Sequence, residues 1–331
     1  MRITTLVPAY KSKYLMELLT AMRQQTVKPA RILFSDDSPN QDFVAQLNQP
    51  AVKTALADMN IEVIPGQRNG AWNNFLYLLK QYAGQTELFH IWLDDDICYP
   101  TFYERHLQAH GSGQVHCVVS RRWTALENGQ PLRELPVPTA VSYHPERTLA
   151  LDAGTLFAST AAVSGNWLGE FSNATFSASM VADIEASTLG GLSFAGLEDL
   201  GAFLMASLRG PVGYINEPLG YFRTSGEQHS ANPYGRPLKL AHFAYLALAL
   251  GGWRVGRLSE AQALACLASL CPTIVQRYGQ EADVQELIAT MADLPSATPE
   301  AQRAFIGAWH RYAGLSVPVP EALPEDLLVT S

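Results

Sequence analysis

The sequence predicts an α/β protein with a mostly parallel central sheet flanked by helices, followed by a helical C-terminal region. Over the first hundred residues, short apolar runs alternate with segments of helical periodicity, which is typical of βα units. Beyond about Pro237 the apolar residues recur only at helical spacing. The 331 residues suffice for one large domain or two modest ones. We therefore expect an α/β domain over residues 1–236 and a helical region over residues 237–331.

Four apolar runs near the N-terminus are the candidate parallel strands. Each is followed by residues that end strands, such as proline or aspartate. Leu15, Leu18 and Met22 recur at helical spacing after the first run. The predicted strands are Ile3–Val7, ended by Pro8, then Arg31–Ser35, Ile61–Ile64 and Glu87–Leu93, with a helix over Trp72–Gln81 between the third and the fourth.

The middle of the chain has weaker periodicity. Gln114–Ser120 and Tyr214–Phe222 are apolar enough to be strands, and Leu197–Leu208 has the spacing of a helix. Arg121–Leu149 contains prolines and little periodicity, which predicts a long loop.

The C-terminal region contains signals for helix starts. Ser259 and Gln262 have the spacing of a capping box, and Thr298 before Pro299 is typical of a helix N-terminus. The most apolar segment, Phe243–Trp253, is shorter than the ~20 residues that cross a bilayer. It fits a packed helix or a subunit interface better than a contact with a membrane surface.

Composition and charge exclude several classes of protein. Hydrophobic types make up 47% of the residues and charged types 16%, which is too apolar for a disordered chain. The net charge of −8 argues against sequence-independent nucleic-acid binding, which needs clustered Lys and Arg. The N-terminus shows no secretory signal, and the four cysteines show no zinc-like spacing. We expect a cytoplasmic protein with reduced thiols, and membrane association stays open.

Acidic residues stand at the ends of two predicted strands. Asp36 and Asp37 follow the second strand, and Asp94, Asp95 and Asp96 follow the fourth. In open α/β sheets, ligands bind beyond the carboxyl ends of the strands, so both groups can line one crevice. Three adjacent carboxylates repel one another, and Mg²⁺ or Mn²⁺ would relieve that repulsion. A solvated acidic turn explains the triplet about equally well.

Five motifs, in their order along the chain, resemble a family 2 glycosyltransferase of the GT-A fold. They are LVPAYK at the first strand end, SDDS at the second, LDDD at the fourth, the pair Glu198-Asp199, and YFRTSGEQHS. The resemblance covers roughly residues 1–230 and implies a GT-A domain that uses a nucleoside diphosphate sugar.

The resemblance implies a donor site at the first two strand ends. Family members place the first-strand turn beside the nucleotide, so Pro8, Ala9 and Tyr10 become candidate contacts. A carboxylate of the second-strand motif contacts the base, which points to Asp36 or Asp37. Aspartate can accept a hydrogen bond from an imide N–H, which favours uracil or thymine. A structural turn before the next proline accounts for these aspartates almost as well.

The LDDD segment matches the DXD motif of the family. The resemblance places Asp94 at the ribose and Asp96 on the metal, with Asp95 between them as a further nucleotide-site residue. His229 matches a histidine that often binds the same ion, and an ordinary turn histidine is the alternative. The implied cofactor is Mn²⁺ or Mg²⁺, which would bridge the donor diphosphate.

Asp199 matches the catalytic base of the family's ED motif. In that role it would take the proton of an acceptor hydroxyl that attacks the anomeric carbon, giving inverted stereochemistry. Glu198 and Trp167 are candidate acceptor contacts. Stabilisation of a helix N-terminus is the alternative for Glu198 and Asp199, and a core position is the better interpretation of Trp167.

The chain departs from the family pattern before the fourth strand. Family members commonly show an Ala-Arg-Asn-like segment after an Asn-x-Gly turn, whereas residues 68–74 read RNGAWNN. Trp72 stands where the arginine is expected, so a phosphate contact there would come from Arg68 or from an asparagine such as Asn69, or would be absent. The usual Gly-Phe-Asp-Glu-like acceptor segment before Glu198 is also missing.

The expected function is a metal-dependent, inverting transfer of a sugar from a nucleoside diphosphate sugar, with UDP favoured. The acceptor would be a hydroxyl of a glycan, a lipid-linked molecule or a protein. Two alternatives are a sugar-1-phosphate nucleotidyltransferase and a catalytically inactive nucleotide-sugar-binding protein. The former normally has a Gly-rich, Arg-containing loop after the first strand, which LVPAYKSKY lacks. Oligomerisation stays open.

Overall fold

A computed structural model of the protein describes residues 1–111, 113–224 and 232–315. The chain forms two compact units whose segments alternate in the sequence. The first unit contains Met1–Asp152, Trp167–Glu185 and Ala206–Ser225, and the remaining described residues form the second. The predicted division into a catalytic domain and a helical region after residue 236 stays a prediction.

The described residues form twelve strands, six of which follow the predicted apolar runs, with most ends displaced by one to three residues, while the other six were not predicted. In chain order they are β1 (Ile3–Ala9), β2 (Arg31–Asp36), β3 (Ile61–Pro65), β4 (Leu88–Ile91), β5 (Ile97–Cys98), β6 (Cys117–Ala125), β7 (Pro131–Glu134), β8 (Thr148–Leu151), β9 (Ala174–Ser177), β10 (Thr188–Leu189), β11 (Leu192–Ser193) and β12 (Val212–Arg223).

The helices include all those that the sequence predicts. In chain order they are α1 (Leu15–Gln24), α2 (Asp42–Leu47), α3 (Pro50–Ala55), α4 (Ala71–Tyr82), α5 (Phe102–Gly111), α6 (Thr139–Ser142), α7 (Ala153–Ser159), α8 (Val181–Ala186), α9 (Glu198–Arg209), α10 (Arg236–Arg254), α11 (Glu260–Tyr278), α12 (Gln285–Ile288) and α13 (Pro299–Ala313).

A ten-stranded sheet, counted over the described residues, organises the first unit. Its order is β3-β2-β1-β4-β9-β6-β12-β5, with β7 beside β6 and β8 beside β12. Strands β1 to β4 are parallel to one another. Strand β6 runs the same way, since β9 lies between it and β4 and is antiparallel to both, and β12 is parallel to β6. The predicted mostly parallel sheet is therefore confirmed. Its carboxyl edge gathers the ends of β1, β2 and β4.

Burial on both faces explains why β1, β2 and β4 form continuous apolar runs in the sequence. Ile3–Val7 is buried at every position. On α1, Leu15, Leu18 and Met22 join the same hydrophobic core as β1 and β2, which confirms the predicted helix.

Two predictions about strand limits are wrong. The predicted end of the first strand at Pro8 fails, since β1 runs on to Ala9 with Pro8 opposite Ser35. The φ angle of proline suits extended backbone near a strand end. The predicted loop over Arg121–Leu149 also fails, since it contains the end of β6 together with β7, α6 and the first half of β8.

The second unit is mostly helical. Phe243–Trp253 lies within α10, where Phe243 and Leu250 are buried in a core that also contains Leu267 of α11 and Trp309 of α13. The packed-helix interpretation of this segment is therefore confirmed. In the part of the chain that the structure describes, no helix is both long and apolar enough to span a membrane.

The predicted helix starts of this unit are also confirmed. The backbone N–H of Gln262 donates to Ser259 Oγ at 3.3 Å, and Ser259 N–H donates to Gln262 Oε1 at 2.9 Å. The backbone N–H of Ala301 donates to Thr298 Oγ1 at 3.3 Å. Both hydroxyl groups thus accept from N–H groups that the first helical turn leaves without an intrahelical partner.

Candidate functional site

The turn after β1 and the aspartate triplet after β4 meet at the carboxyl edge of the sheet. Backbone N–H groups of Tyr10 and Lys11 donate to Asp94 Oδ2, the second at 2.5 Å. The carbonyl of Ala9 accepts a 2.8 Å hydrogen bond from the backbone N–H of Asp37, which follows β2. The structure therefore brings together three of the segments that the sequence singled out. Pro8 is partly buried and Ala9 fully buried, whereas the Tyr10 side chain is exposed.

Asp94 is a buried carboxylate that fixes the first-strand turn. Burial, with a smaller contribution from the charge of Asp95, raises its pKa to about 6, against the two N–H groups that it accepts from. Ionising Asp94 near neutral pH therefore costs solvation free energy, and a nearby cation would offset that cost.

Asp95 forms an ion pair with the Lys11 side chain. Burial lowers the pKa of the Lys11 ammonium, but the contact with Asp95 outweighs burial and the net pKa is raised. Lys11 is therefore charged and neutralises the middle carboxylate. Lys11 ends the LVPAYK motif, and nothing in the sequence alone indicated this role.

Asp96 is the most deeply buried of the three carboxylates. It is 1% exposed, and burial followed by the charge of Asp95 raises its pKa well above the ordinary range. Its Oδ1 accepts from the backbone N–H of Arg223 at 3.2 Å, while Oδ2 has no hydrogen-bond partner among the described residues. A buried carboxylate oxygen without a partner is costly, and a bound cation would compensate it.

The carboxylate ligands available here suit a hard divalent ion that takes most of its other ligands from the substrate. Mg²⁺ in particular is usually bound through one or two protein carboxylates together with phosphate oxygens. Asp96 could supply one carboxylate. The described residues contain no group of three or more His, Cys, Asp or Glu side chains placed to hold a metal ion. His229, the second predicted ligand, lies outside the described residues.

Arg223 holds the triplet from β12. Its side chain is 1% exposed and forms an ion pair with Glu17. Its Nε donates to the Asp95 carbonyl at 2.7 Å, and its Nη1 donates to the Glu127 carbonyl at 2.5 Å. With its backbone N–H on Asp96, Arg223 fixes both the main chain and a side chain of the triplet. Arg223 stands within the YFRTSGEQHS motif, and nothing in the sequence alone indicated this role.

The two aspartates after β2 have different environments. Asp36 is 1% exposed and accepts from the Ser38 N–H at 3.0 Å, the Ser38 hydroxyl at 2.5 Å and the Val44 N–H at 2.8 Å. It holds the loop and the start of α2. Asp37 is partly exposed and accepts the Arg68 N–H on Oδ1 at 2.6 Å. Of the two, Asp37 is the one that a ligand can reach.

The first turn of α4 carries the departure from the family pattern. Arg68 and Asn69 lie in the exposed turn before the helix. Trp72 is partly buried, with its ring centroid 4.7 Å from that of Phe75 and 6.3 Å from that of Phe171. The family resemblance predicts a guanidinium group at this position, and an aromatic ring packed on two phenylalanines occupies it instead.

Trp167 occupies a core position in the first unit. It is 7% exposed, and its ring meets that of Tyr214 edge-on at a centroid distance of 5.1 Å. Burial leaves little of the indole for stacking on a sugar, so its acceptor role stays a prediction without support from this geometry.

Glu198 and Asp199 begin α9 in the second unit. Glu198 Oε1 accepts from the Gly196 N–H at 2.8 Å, and burial raises the pKa of this carboxyl. Asp199 Oδ1 accepts from the Leu200 N–H at 2.6 Å. Burial, with a contribution from the Asp199 charge, raises the pKa of Tyr245 to about 12. Asp199 thus combines backbone contacts at a helix start with a tyrosine neighbour.

Comparisons with known proteins show which family model and which solved structures this chain is similar to. Residues 4–163 match the model of glycosyl transferase family 2. The fold is similar to the crystal structure of S. aureus TarS 1–349 in complex with UDP-GlcNAc, at 14% identity and a TM-score of 0.55 over 98% of both chains. For the longer TarS structure the identity is 16% and the TM-score 0.57, over 95% of this chain and 53% of that one.

A third match agrees with these two. The complex of TarS 1–349 with UDP has 13% identity and a TM-score of 0.52, over 95% of this chain and 90% of that one. No curated protein matches the sequence. Together the matches confirm the predicted GT-A fold class.

Proposed function

We propose that this glycosyltransferase, whose residues 4–163 match the model of glycosyl transferase family 2, moves a sugar from a UDP-sugar to an acceptor hydroxyl. The proposed reaction depends on a metal ion and inverts the anomeric configuration. The observation that carries the proposal is the convergence of the first-strand turn, Asp37 and the aspartate triplet at one sheet edge. TarS, which shares the fold, is described in complex with UDP-GlcNAc and with UDP.

Asp37 is proposed to read the base of the donor. Its carboxylate is partly exposed at the end of β2, and the Arg68 N–H fixes its orientation through Oδ1. An ionised carboxylate only accepts hydrogen bonds, so it favours a base that presents an N–H at the contacted edge. The imide N–H of uracil does so, whereas the ring nitrogens at the pairing edges of adenine and cytosine are acceptors. Asp36 supports this loop and makes no ligand contact in the proposal.

The first-strand turn and the triplet are proposed to hold the ribose and the diphosphate. Pro8, Ala9 and Tyr10 form the wall next to Asp37, and Asp94 lies beneath the backbone of Tyr10. Asp95 is paired with Lys11, which limits the repulsion that the triplet offers to an anionic donor.

Asp96 is proposed to hold Mn²⁺ or Mg²⁺, because its buried Oδ2 lacks a partner among the described residues. His229 is retained as a second proposed ligand. When bound, such an ion neutralises the charge that develops on the leaving diphosphate. Arg223 keeps Asp96 in place through its backbone N–H.

Asp199 is proposed to act as the general base at the start of α9. It takes the proton of the acceptor hydroxyl while that oxygen forms a bond to the anomeric carbon. The bond from this carbon to the donor phosphate oxygen breaks, and UDP leaves with the electron pair. The sugar therefore inverts its anomeric configuration, and Glu198 orients the turn before the helix through Gly196.

The proposal is tested by measuring nucleotide release from a panel of UDP-, GDP-, dTDP- and ADP-sugars, with water as the acceptor. Release from a UDP-sugar should require Mn²⁺ or Mg²⁺ and stop with EDTA. Asp96→Asn should lower the rate at least about tenfold, whereas the exposed Asp58→Asn should leave it unchanged. Equal release with EDTA would contradict metal dependence. If no UDP-sugar releases its nucleotide, the proposed UDP-sugar donor is wrong.

A further inference from the structure

Hydrogen bonds made by residues before and after Trp72 in the sequence fix it at the carboxyl end of β2. Before it, the Arg68 N–H donates to Asp37 Oδ1 at 2.6 Å. After it, the Asn74 side chain donates to the Ser35 carbonyl at 3.1 Å and accepts from the Ser35 hydroxyl at 2.5 Å. Ser35 lies two residues before Asp37, so the first turn of α4 is bound directly beside the proposed base-reading carboxylate.

Two phenylalanines fix the orientation of the Trp72 ring. The ring lies at 16° to that of Phe171, and Phe171 and Phe75 also pack on each other at 5.2 Å between centroids. Trp72 as a whole is only partly buried, so part of its surface is open to a ligand while the two phenylalanines support the ring. An aromatic surface held in this way loses little conformational entropy when a ligand packs on it.

The same aromatic cluster adjoins the aspartate triplet. Ser172, the neighbour of Phe171, accepts a 3.1 Å hydrogen bond from the backbone N–H of Leu93, which directly precedes Asp94. Trp72 therefore lies between Asp37, proposed to contact the base, and the triplet, proposed to contact the ribose and diphosphate.

We infer that Trp72 is a specificity-determining residue that stacks on the nucleobase of the donor, where family members commonly carry an arginine. This inference rests on the proposed uridine diphosphate donor. A base whose N–H donates to Asp37 lies next to the first turn of α4, and every base offers a π face to an aromatic side chain. The contact depends on shape and dispersion, so it is screened by salt less than an arginine contact would be.

Isothermal titration calorimetry of the full chain with UDP and with UDP-GlcNAc, both in Mn²⁺, tests the inference. Trp72→Leu keeps an apolar side chain against Phe171 but removes the aromatic face, and Trp72→Phe retains an aromatic face. We expect Trp72→Leu to lower the affinity for both ligands by the same factor, about tenfold or more. Trp72→Phe should stay within about threefold of wild type. Circular dichroism melting checks that both variants are folded.

Each result separates the inference from the proposed function. If wild type binds UDP and Trp72→Leu binds it equally well, the stacking role is wrong while the proposed donor stands. If Trp72→Leu weakens UDP-GlcNAc but leaves UDP unchanged, the ring contacts the sugar and the base assignment is wrong. If wild type binds neither nucleotide, both the proposed donor and the inference are overturned.

Discussion

His110 is a buried histidine whose neutral form the fold requires. It is 6% exposed, and its Nε2 lies 3.0 Å from Thr175 Oγ1. Burial, which outweighs its backbone hydrogen bonds, lowers the pKa of His110 from 6.5 to about 4. Because the pKa is lower in the folded state, the unfolded chain binds the proton first as the pH falls below 6.5. Stability is therefore unaffected above that pH and is lost progressively between 6.5 and about 4.

The size of the effect follows from the two pKa values. Integrating the proton linkage gives a loss of about 2 kcal/mol at pH 5 from His110 alone. Asp94 works in the opposite direction, since its raised pKa means that its protonation favours the folded state. A comparison of variants cancels that contribution, because Asp94 is the same in both proteins.

Urea unfolding at pH 7 and pH 5 measures the effect. His110→Gln removes the titrating ring and keeps an amide that can reach Thr175, so the variant should lose about 2 kcal/mol less than wild type between the two pH values. The exposed His144→Gln serves as the matched control and should behave as wild type does. The same pH dependence for His110→Gln and wild type would refute the reasoning.

Two further predictions concern the arrangement of the site. Arg223→Lys loses the guanidinium contacts to Asp95 and Glu127 carbonyls, so the affinity for UDP in Mn²⁺ should fall about tenfold; calorimetry showing wild-type affinity would contradict the positioning role. Asp36→Asn should lower the free energy of unfolding by about 2 kcal/mol because a buried charged acceptor is lost. Asp37→Asn should change the stability little but weaken UDP binding. If thermal melts and UDP titrations show the reverse, the roles of the two aspartates are exchanged.

The parallel strands β1, β2 and β4 could be predicted because their burial on both faces appears directly as apolar runs. The extension of β6 beyond Ser120 to Ala125 could not be predicted, because this part of the strand contains Arg121 and Arg122. These two arginines pair with Glu134 and Glu170, the second of them 48 residues away. Whether a charged residue is tolerated in a strand depends on such partners, and the local pattern does not contain them.

The site was predictable to the same extent. Aspartates at strand ends mark the carboxyl edge of the sheet, so the triplet and the pair after β2 were found. The different environments of Asp36 and Asp37 depend on Ser38 and on Val44, which is eight residues away. Arg223 was missed because its contact with the Asp95 carbonyl spans 128 residues of sequence.

The central claim is that Asp199 deprotonates the acceptor of a sugar bound as its UDP derivative. The most direct measurement compares wild type and Asp199→Asn for both Mn²⁺-dependent UDP binding and release of UDP from the UDP-sugar that wild type uses. We predict unchanged binding of UDP and a release rate at least about 100-fold lower, the effect expected for loss of a general base. An unchanged release rate in Asp199→Asn would contradict the proposed mechanism.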